Sequence, residues 1–269
     1  MSEKPVVIAV NGSPHAGFGN TSMMIEMMRS PLEEAGLGLE VIDLVQYEID
    51  YCQGCALCLE KGACWINDDC SKISKRLLDA AGVILASPVY VLQVTGQMKT
   101  FLDRSLGIGH KPRPTWKPGL AVSVSAGMGE VAVAEYINSI LRNFGCYSIG
   151  RLTAIATQPG QFLGKEAVEA RARDLARDLA RAIKEKQPYP ITELDLRFYQ
   201  FMGNLVKDQK DTAMKDDYRH WETQGLYEGF EKYCQQTVTP VPDHPEIRQA
   251  WVKHLIASRK ERKGNKKGE

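Results

Sequence analysis

Long apolar runs are missing from this sequence. No stretch of its 269 residues approaches the ~20 consecutive apolar residues that cross a membrane as a helix. The first apolar run, Val6–Val10, is too short to be the hydrophobic segment of a secretory signal. We therefore expect a cytoplasmic location and no membrane partner.

The sequence also lacks an excess of either charge. Its 34 lysine and arginine residues face 33 aspartate and glutamate residues, which gives a formal net charge of +1. Proteins that bind nucleic acid through its phosphates carry a basic surface, so we expect no nucleic-acid partner. With 43% hydrophobic and 25% charged residues, the composition is that of a globular protein and excludes wholesale disorder and fibrous architectures.

Short apolar segments alternate with amphipathic segments up to about residue 187. Runs rich in valine and isoleucine predict five buried strands, at Val6–Val10, Leu39–Leu44, Gly82–Ser87, Leu120–Ser125 and Leu152–Ala156. Apolar residues at helical spacing predict helices at Thr21–Ala35, Gln97–Leu106, Val131–Phe144 and Glu166–Lys186. Strands that alternate with helices form a parallel sheet covered on both faces, so we predict a three-layer, doubly wound α/β fold.

The character of the sequence changes after Pro188, where no further strand-like run occurs. We predict one domain at residues 1–187 and a helical C-terminal extension at residues 188–269. The extension is rich in aromatic side chains, so we expect it to pack on the sheet domain or on a partner subunit. Those side chains are Tyr199, Phe201, Tyr218, Trp221, Tyr227, Phe230, Tyr233 and Trp251.

The loop after the first strand contains neither of two common nucleotide motifs. A P-loop requires a lysine, and there is none between Lys4 and Lys61. A dinucleotide fingerprint starting at Gly17 would need a third glycine where Ser22 stands. The loop and the following helix start instead carry side-chain donors suited to the phosphate of a phosphomonoester, unless this is a plain turn with Thr21 as the helix cap. The donors are Ser13, His15, Asn20, Thr21 and Ser22.

Two later strands end in segments that suit a flat ring. A tyrosine after the third strand can stack on a ring, and glycines after the fourth allow the backbone to approach it closely. Ligands of open α/β sheets bind beyond the carboxyl ends of the strands. Three compatible loops in chain order therefore indicate one ligand with both a phosphate and a ring. The ring-side candidates are Pro88, Val89, Tyr90, Ser125, Gly127 and Gly129.

Together these segments resemble the flavodoxin-like, NADPH-dependent FMN reductase family. The resemblance covers roughly residues 5–187 and is carried by Gly12-Ser13-Pro14, Gly19-Asn20-Thr21, Ser87-Pro88-Val89-Tyr90, Lys99 and Phe101-Leu102-Asp103-Arg104. It implies a flavodoxin-like five-stranded sheet in the order 2-1-3-4-5. It also implies bound FMN with its phosphate in the Ser13–Ser22 loop, NAD(P)H as a transient donor, and a homo-oligomer, either a dimer or a tetramer. Family members usually carry arginine where this chain has His15, which implies a weaker or pH-dependent phosphate contact.

Cysteine is distributed very unevenly along the chain. Five of the seven cysteines lie within residues 51–70, hereafter the cysteine loop, and without an export signal such a cluster indicates metal or redox chemistry. Four of them have a spacing that lets their thiolates converge on one small inorganic core, Cys52-x2-Cys55-x2-Cys58-x5-Cys64. We interpret Cys70 as a packing residue or a backup ligand, and Cys146 and Cys234 as ordinary thiols.

The spacing differs from the ferredoxin run, which has three residues before its fourth cysteine and a proline after it. It resembles instead the iron–sulfur flavoproteins, a branch of the same FMN reductase family. That resemblance implies a four-iron, four-sulfur cluster on Cys52, Cys55, Cys58 and Cys64. Free thiols, a zinc ion and disulfides are the alternatives that the spacing leaves open.

The expected function is that of an FMN-dependent electron-transfer oxidoreductase. It would pass electrons between a reduced donor, NAD(P)H or ferredoxin, and an acceptor, and it would need no catalytic side chain because the flavin supplies the chemistry. One alternative is a clusterless NAD(P)H-dependent FMN or quinone reductase. Another is a non-enzymatic electron carrier or a redox-sensing module.

Overall fold

A parallel sheet forms the centre of the fold. A computed structural model of the chain describes residues 4–111, 117–186 and 193–227. The sheet strands are β1 (Val6–Asn11), β2 (Gly38–Asp43), β3 (Gly82–Pro88), β4 (Lys117–Ser125) and β5 (Cys146–Ile155). They pair in parallel in the order β2-β1-β3-β4-β5, which confirms the predicted flavodoxin-like topology.

Helices connect the strands and continue after the last one. Up to β4 they are α1 (Asn20–Glu26), α2 (Arg29–Glu34), α3 (Leu57–Lys61), α4 (Cys70–Asp79), α5 (Gly96–Arg104) and α6 (Leu106–His110). The later ones are α7 (Glu130–Asn143), α8 (Lys165–Glu185), α9 (Glu193–Asp208) and α10 (Lys215–Thr223). None of the helices in the described ranges is long and apolar enough to cross a membrane.

The two faces of the sheet carry separate cores. Along β1, Val7 and Ala9 point into one core and Ile8 and Val10 into the other, because successive side chains of a strand face opposite ways. Buried side chains of α1, α2 and α8 fill the first core, and those of α4, α5 and α7 fill the second. The predicted three layers are therefore confirmed.

The prediction of one helix over Thr21–Ala35 is wrong, because the segment forms two helices, α1 and α2. Pro31 has no N–H, and its ring clashes with the carbonyl four residues earlier, which belongs to Met27. The chain accordingly breaks its helix at Met27 and restarts before the proline. Gly36 ends the pair in the left-handed conformation (φ 78°), which agrees with its predicted role as a cap.

Other differences also have local causes. The helix α4 was not predicted, although its buried Ile73 and Leu77 have helical spacing. The last strand begins at Cys146 and not near Leu152, as predicted. Its first half was not recognised because Gly150, which has a positive φ of 145°, interrupts the apolar pattern that marks a strand.

The C-terminal helices α9 and α10 form a third core. It lies on the helix α3 of the cysteine loop, which agrees with the expected packing of the extension on the sheet domain. Its buried members are Leu59, Tyr199, Met202, Val206, Met214, Trp221 and Leu226. The predicted domain boundary at residues 187 and 188 lies outside the described residues, as do Phe230, Tyr233, Cys234 and Trp251.

A phenylalanine pair tests the second core. Phe101 of α5 is fully buried there, whereas Phe201 of α9 is 52% exposed. We expect Phe101→Ala to lower the free energy of unfolding by about 3–5 kcal/mol, because it removes a buried ring and leaves a cavity. The control Phe201→Ala should change it by less than about 0.5 kcal/mol. Urea unfolding of both variants makes the comparison, and equal losses would contradict the assignment of Phe101 to the core.

Candidate functional site

The three predicted ligand loops lie at one edge of the sheet. Because the strands are parallel, β1, β3 and β4 all end at this edge, at Asn11, Pro88 and Ser125. Open sheets of this type bind ligands there, between strands that lead to opposite faces. The order of the strands, with β1 next to β3, places the switch point between the first and second loops.

The first loop is fixed against the start of helix α5. The hydroxyl of Thr95 donates to the carbonyl oxygen of Gly12 at 2.6 Å, and the same hydroxyl caps α5 by accepting from the Met98 N–H at 3.2 Å. A Cβ on Gly12 would lie 2.7 Å from the Cβ of Met98, so only glycine fits at this position. The backbone of the loop is therefore set by two contacts with one helix.

Internal hydrogen bonds occupy several of the predicted phosphate donors. Ser22 donates its hydroxyl to the carbonyl of Ala16, and the Ser13 hydroxyl accepts the N–H of His15 at 3.2 Å. Thr21 is buried, and the N-cap of α1 is Gly19, so the alternative in which Thr21 caps the helix is wrong.

Asn20 and His15 occupy the outer part of the loop. Asn20 donates to the carbonyl of Gln158 at 3.3 Å and accepts the N–H of Gly160 at 2.7 Å, so it joins the first loop to the segment after β5. His15 is exposed. The five predicted donors lie in the first loop and in the first turn of α1 that follows it, and their contact with a phosphate stays a prediction.

Sequence reasoning missed Asn11, the last residue of β1. Its side chain is fully buried and donates to the Ser22 hydroxyl at 2.9 Å and to a carboxylate oxygen of Asp43 at 2.7 Å. Its own oxygen accepts the N–H of Ser13 at 3.0 Å. A polar residue at the end of an otherwise apolar strand was the available signal. Asn11 therefore holds both ends of the first loop, at Ser13 and Ser22, by buried hydrogen bonds.

The second loop ends in a tight, strained turn. Tyr90 and Gln93 exchange two backbone hydrogen bonds, of 2.8 and 3.0 Å. Between them Val91 (φ 48°) and Leu92 (φ 62°) are both left-handed, a conformation that costs a residue with a side chain about 1–3 kcal/mol. Val91 is 98% exposed and Leu92 is 61% exposed. This Tyr90–Gln93 turn thus presents apolar side chains at the ligand edge.

The third loop touches the second. A Cβ on Gly129 would lie 3.1 Å from Val89 and 3.3 Å from Leu92, so the backbone approaches these side chains closely. Gly127 instead borders open space, and the Ser125 hydroxyl donates to Glu130 at 2.6 Å. The two loops that carry the predicted ring-side residues are therefore in contact, and the Ser125 hydroxyl is already partnered.

The cysteine loop places four cysteines around one cavity. Its helix α3 begins after the left-handed Ala56 (φ 57°) and ends at the left-handed Gly62 (φ 82°). The cavity measures about 80 Å³, several times the ~10–15 Å³ that one water needs. The cysteines that line this cysteine cavity are Cys52, Cys55, Cys58 and Cys64.

The cysteine sulfurs are not assembled as a finished metal site. Within the described ranges, no group of three or more histidine, cysteine or carboxylate side chains is placed to hold a metal ion. Cys52 and Cys55 are exposed, while Cys58 and Cys64 are partly buried. Burial, and then the neighbouring Cys64, raise the pKa of the Cys58 thiol, so binding a cation there would require release of a proton.

The remaining described cysteines are structural. Cys70 is buried in the second core at the start of α4, and burial raises the pKa of its thiol to about 11. Burial likewise raises the pKa of Cys146 to about 12. Both stay protonated at neutral pH, which agrees with their interpretation as packing residues.

A buried ion pair attaches the cysteine loop to helix α5. Arg104 binds both carboxylate oxygens of Asp68 and also donates to the carbonyl of Asp50 at 2.8 Å. The side chains are 1% and 7% exposed, respectively. Asp68 further accepts the N–H groups of Asp50 and Cys70. Burial opposes ionisation of Asp68, but these hydrogen bonds outweigh it and lower the pKa of the carboxyl.

Helix α10 covers the cysteine loop from the other side. Asp217 is fully buried and lies 3.0 Å from Nδ1 of His110. Trp221 donates its indole N–H to the carbonyl of His110 at 2.7 Å, and Lys111 pairs with Asp216. The extension is thus held to α6 by polar contacts and to α3 by its own core.

The buried ion pair predicts a pH-dependent stability. We expect Asp68→Asn to lower the free energy of unfolding at pH 7 by about 3 kcal/mol, because it leaves the Arg104 charge buried and unpaired. Since the folded pKa of Asp68 is lowered, its contribution is complete above the ordinary aspartate pKa of about 3.9. It disappears as the pH falls through the lower folded value.

Urea unfolding of wild type and variant between neutral and acid pH checks this expectation. The matched control is Asp69→Asn, because Asp69 pairs only with the exposed Lys72 among the side chains. It should cost much less. A difference between wild type and Asp68→Asn that persisted unchanged into acid would contradict the ion pair as its source.

Comparisons with known proteins agree with this geometry. The model of the NADPH-dependent FMN reductase family matches residues 5–160. An iron–sulfur flavoprotein of Archaeoglobus fulgidus is 35% identical over 220 residues, which cover 81% of this chain and 98% of the relative. One of Methanocaldococcus jannaschii is 32% identical over 182 residues, which cover 67% of this chain and 94% of that protein.

Among solved structures, a flavone reductase shares the fold with a TM-score of 0.55 at 18% identity, over 71% of this chain and 69% of that one. The region matched by the family model includes the three ligand loops. The match to the Archaeoglobus fulgidus protein covers nearly the whole length of that relative. The chain therefore belongs to the NADPH-dependent FMN reductase family and, within it, to the branch of the iron–sulfur flavoproteins.

Proposed function

We propose that this protein is an FMN-dependent electron-transfer oxidoreductase that carries a four-iron, four-sulfur cluster on the cysteine loop. It would pass electrons between a reduced donor, NAD(P)H or ferredoxin, and an acceptor. Family membership already makes the chain a flavin-dependent oxidoreductase. The observation that carries the rest is that Cys52, Cys55, Cys58 and Cys64 all line one cavity.

The donor set suits an iron–sulfur cluster. Four thiolates are the usual ligands of a four-iron, four-sulfur cluster, and the cavity they line has room for more than a single ion. The neighbouring Arg104 guanidinium would offset part of the negative charge of such a group. When bound, FMN can accept two electrons together and release them one at a time, whereas a cluster accepts them only one at a time. The two groups together would therefore convert two-electron transfer into one-electron transfer.

The three ligand loops would hold the flavin. The Ser13–Ser22 loop would bind the phosphate, with Asn20 and His15 on its outer side. The Tyr90–Gln93 turn would lie beside the flavin ring, and the open space at Gly127 would leave room for it. The apolar Val91 and Leu92 would then exclude water from one side of the flavin.

The same side chains support a homo-oligomer, a dimer or a tetramer. Val91, Leu92 and Met128 are 98%, 61% and 70% exposed and lie on adjoining loops at the ligand edge. Exposed apolar groups gathered in one place mark interaction surfaces. We extend the proposal to a subunit interface beside the flavin, a ferredoxin-type redox partner, a cytoplasmic location, and no nucleic-acid or membrane partner.

One observation favours a second candidate, the clusterless NAD(P)H-dependent FMN or quinone reductase. Cys52 and Cys55 are exposed, and the described cysteine sulfurs are not assembled around a metal position. In that case the cysteine loop would carry free thiols. Metal content separates the two candidates.

Metal analysis after purification without oxygen tests the cluster. We expect close to four iron and four sulfide per chain, the content of one such cluster, together with one FMN. In Cys55→Ser the iron, the sulfide and the cluster absorbance should be lost while FMN remains, since the flavin loops lie elsewhere. The control Cys146→Ala should keep all three, because Cys146 is buried in the second core. FMN without iron in the wild type would favour the clusterless reductase.

Replacement of the exposed histidine tests the flavin phosphate site. We expect His15→Arg to tighten FMN binding by about 1 kcal/mol, roughly fivefold, because arginine adds a permanent charge and a planar donor pair. Riboflavin has no phosphate and should bind both proteins equally. Fluorescence titration of the flavin-free protein with both flavins makes the comparison. An equal gain for riboflavin would show that position 15 does not face the phosphate.

A further inference from the structure

The guanidinium of Arg104 is satisfied on one side only. Its two Nη groups bind Asp68 and the carbonyl of Asp50, as described above. Its Nε–H is buried and has no hydrogen-bond partner. An unpaired buried donor costs about 1–3 kcal/mol, and more on a charged group, so the position calls for an acceptor.

Arg104 shares two cavities with cysteines. Arg104 lines the cysteine cavity together with all four cysteines of the set. It also lines a second cavity of about 290 Å³, whose wall includes Cys58, Cys64 and Cys70. Arg104 is thus the cation that the two cavities share among the residues described around them.

Neither buried carboxylate beside the cysteine loop, Asp68 or Asp217, accepts a hydrogen bond from this Nε–H. Both carboxylate oxygens of Asp68 face the Nη groups. Asp217 binds His110 and lies 3.7 Å from Lys111 on the far side of the cysteine loop. Cys70 stays a neutral thiol, which accepts hydrogen bonds only weakly. The four-cysteine set lines one cavity with Arg104 and would supply sulfur acceptors when it holds a cluster.

We propose that the Nε–H of Arg104 donates a hydrogen bond to a sulfur of the cluster held in the cysteine cavity and so sets the reduction potential of the cluster. The inference rests on the proposed function, because it concerns the group that the cysteines would hold. Hydrogen bonds to cluster sulfurs and a nearby positive charge stabilise the more negative, reduced state and raise the potential. The Nη fork positions the guanidinium, and the Nε–H acts on the cluster.

The variant Arg104→Lys separates these two tasks. Lysine keeps the positive charge and can pair with Asp68, but it has no Nε–H held in a planar fork. We expect the variant to keep its iron, sulfide and FMN, to show a more negative cluster potential, and to leave the FMN potential unchanged. Anaerobic redox titration followed by electron paramagnetic resonance measures the cluster, and visible absorbance measures the flavin.

The matched control is Lys75→Gln. Lys75 is an exposed cation on the wall of the second cavity and does not line the cysteine cavity, so its loss should leave the cluster potential unchanged. A loaded Arg104→Lys protein with the wild-type potential would overturn the inference and leave the proposed function standing. Wild-type protein without iron and sulfide would remove the proposed function, and the inference with it.

A measurement on the native residue decides the case in which Arg104→Lys does not load a cluster. The arginine side chains are labelled with ¹⁵N, and the Nε–H signal of Arg104 is identified by its absence in the variant. We expect this signal to shift or broaden in the cluster-loaded wild type relative to cluster-free Cys55→Ser. A signal at the same position and width in both proteins would overturn the inference.

Discussion

The buried ion pair between Arg104 and Asp68 fixes the cysteine loop to helix α5, and the geometry of the candidate site depends on that attachment. The other end of α5 holds the first ligand loop, through Thr95 and Gly12. One helix therefore positions both the first ligand loop and the cysteine loop. Since α5 has nine residues at about 1.5 Å each, the two attachment points lie roughly 13 Å apart along its axis.

The C-terminal extension gives the cysteine loop a second support. On the side away from α5, helix α10 packs on α3, and the third core encloses Leu59 next to Cys58. A loop with several left-handed residues has little regular structure of its own. Its shape is therefore maintained by the ion pair on one side and by the extension on the other.

The apolar runs predicted the five strands, and the family resemblance implied their order in the sheet. Runs such as Val6–Val10 are buried on both faces and so carry an unambiguous strand signal. The break between α1 and α2 was not predicted, because the helical spacing of apolar residues continues across Met27. Pro31 was the one residue that indicated a break. Helix α4 was not predicted, because it follows directly on the cysteine pattern, which indicated a loop.

The candidate site was predictable to the extent that its residues are adjacent in sequence. The three loops and the four cysteines were identified from local motifs. Arg104 and Asp68 are 36 residues apart, and His110 and Asp217 are 107 apart, so their pairing depends on tertiary packing. Composition and spacing carry no information about such contacts. The partners of Ser22 and Ser125, Ala16 and Glu130, are close in sequence, but these contacts depend on the backbone path of each loop, which the motifs do not specify.

The Tyr90–Gln93 turn shows what the ligand edge costs the fold. Glycines at positions 91 and 92 would adopt the left-handed backbone without strain, yet the chain places two branched apolar residues there, facing outward. In the isolated chain, Val91 and Leu92 strain the backbone and remain mostly exposed, so they contribute little to the stability of the fold. Stability given up in this way is typical of positions at which function and folding compete. The strain in the turn would be offset only by burial of Val91 and Leu92 against another surface, such as the proposed flavin ring or second subunit.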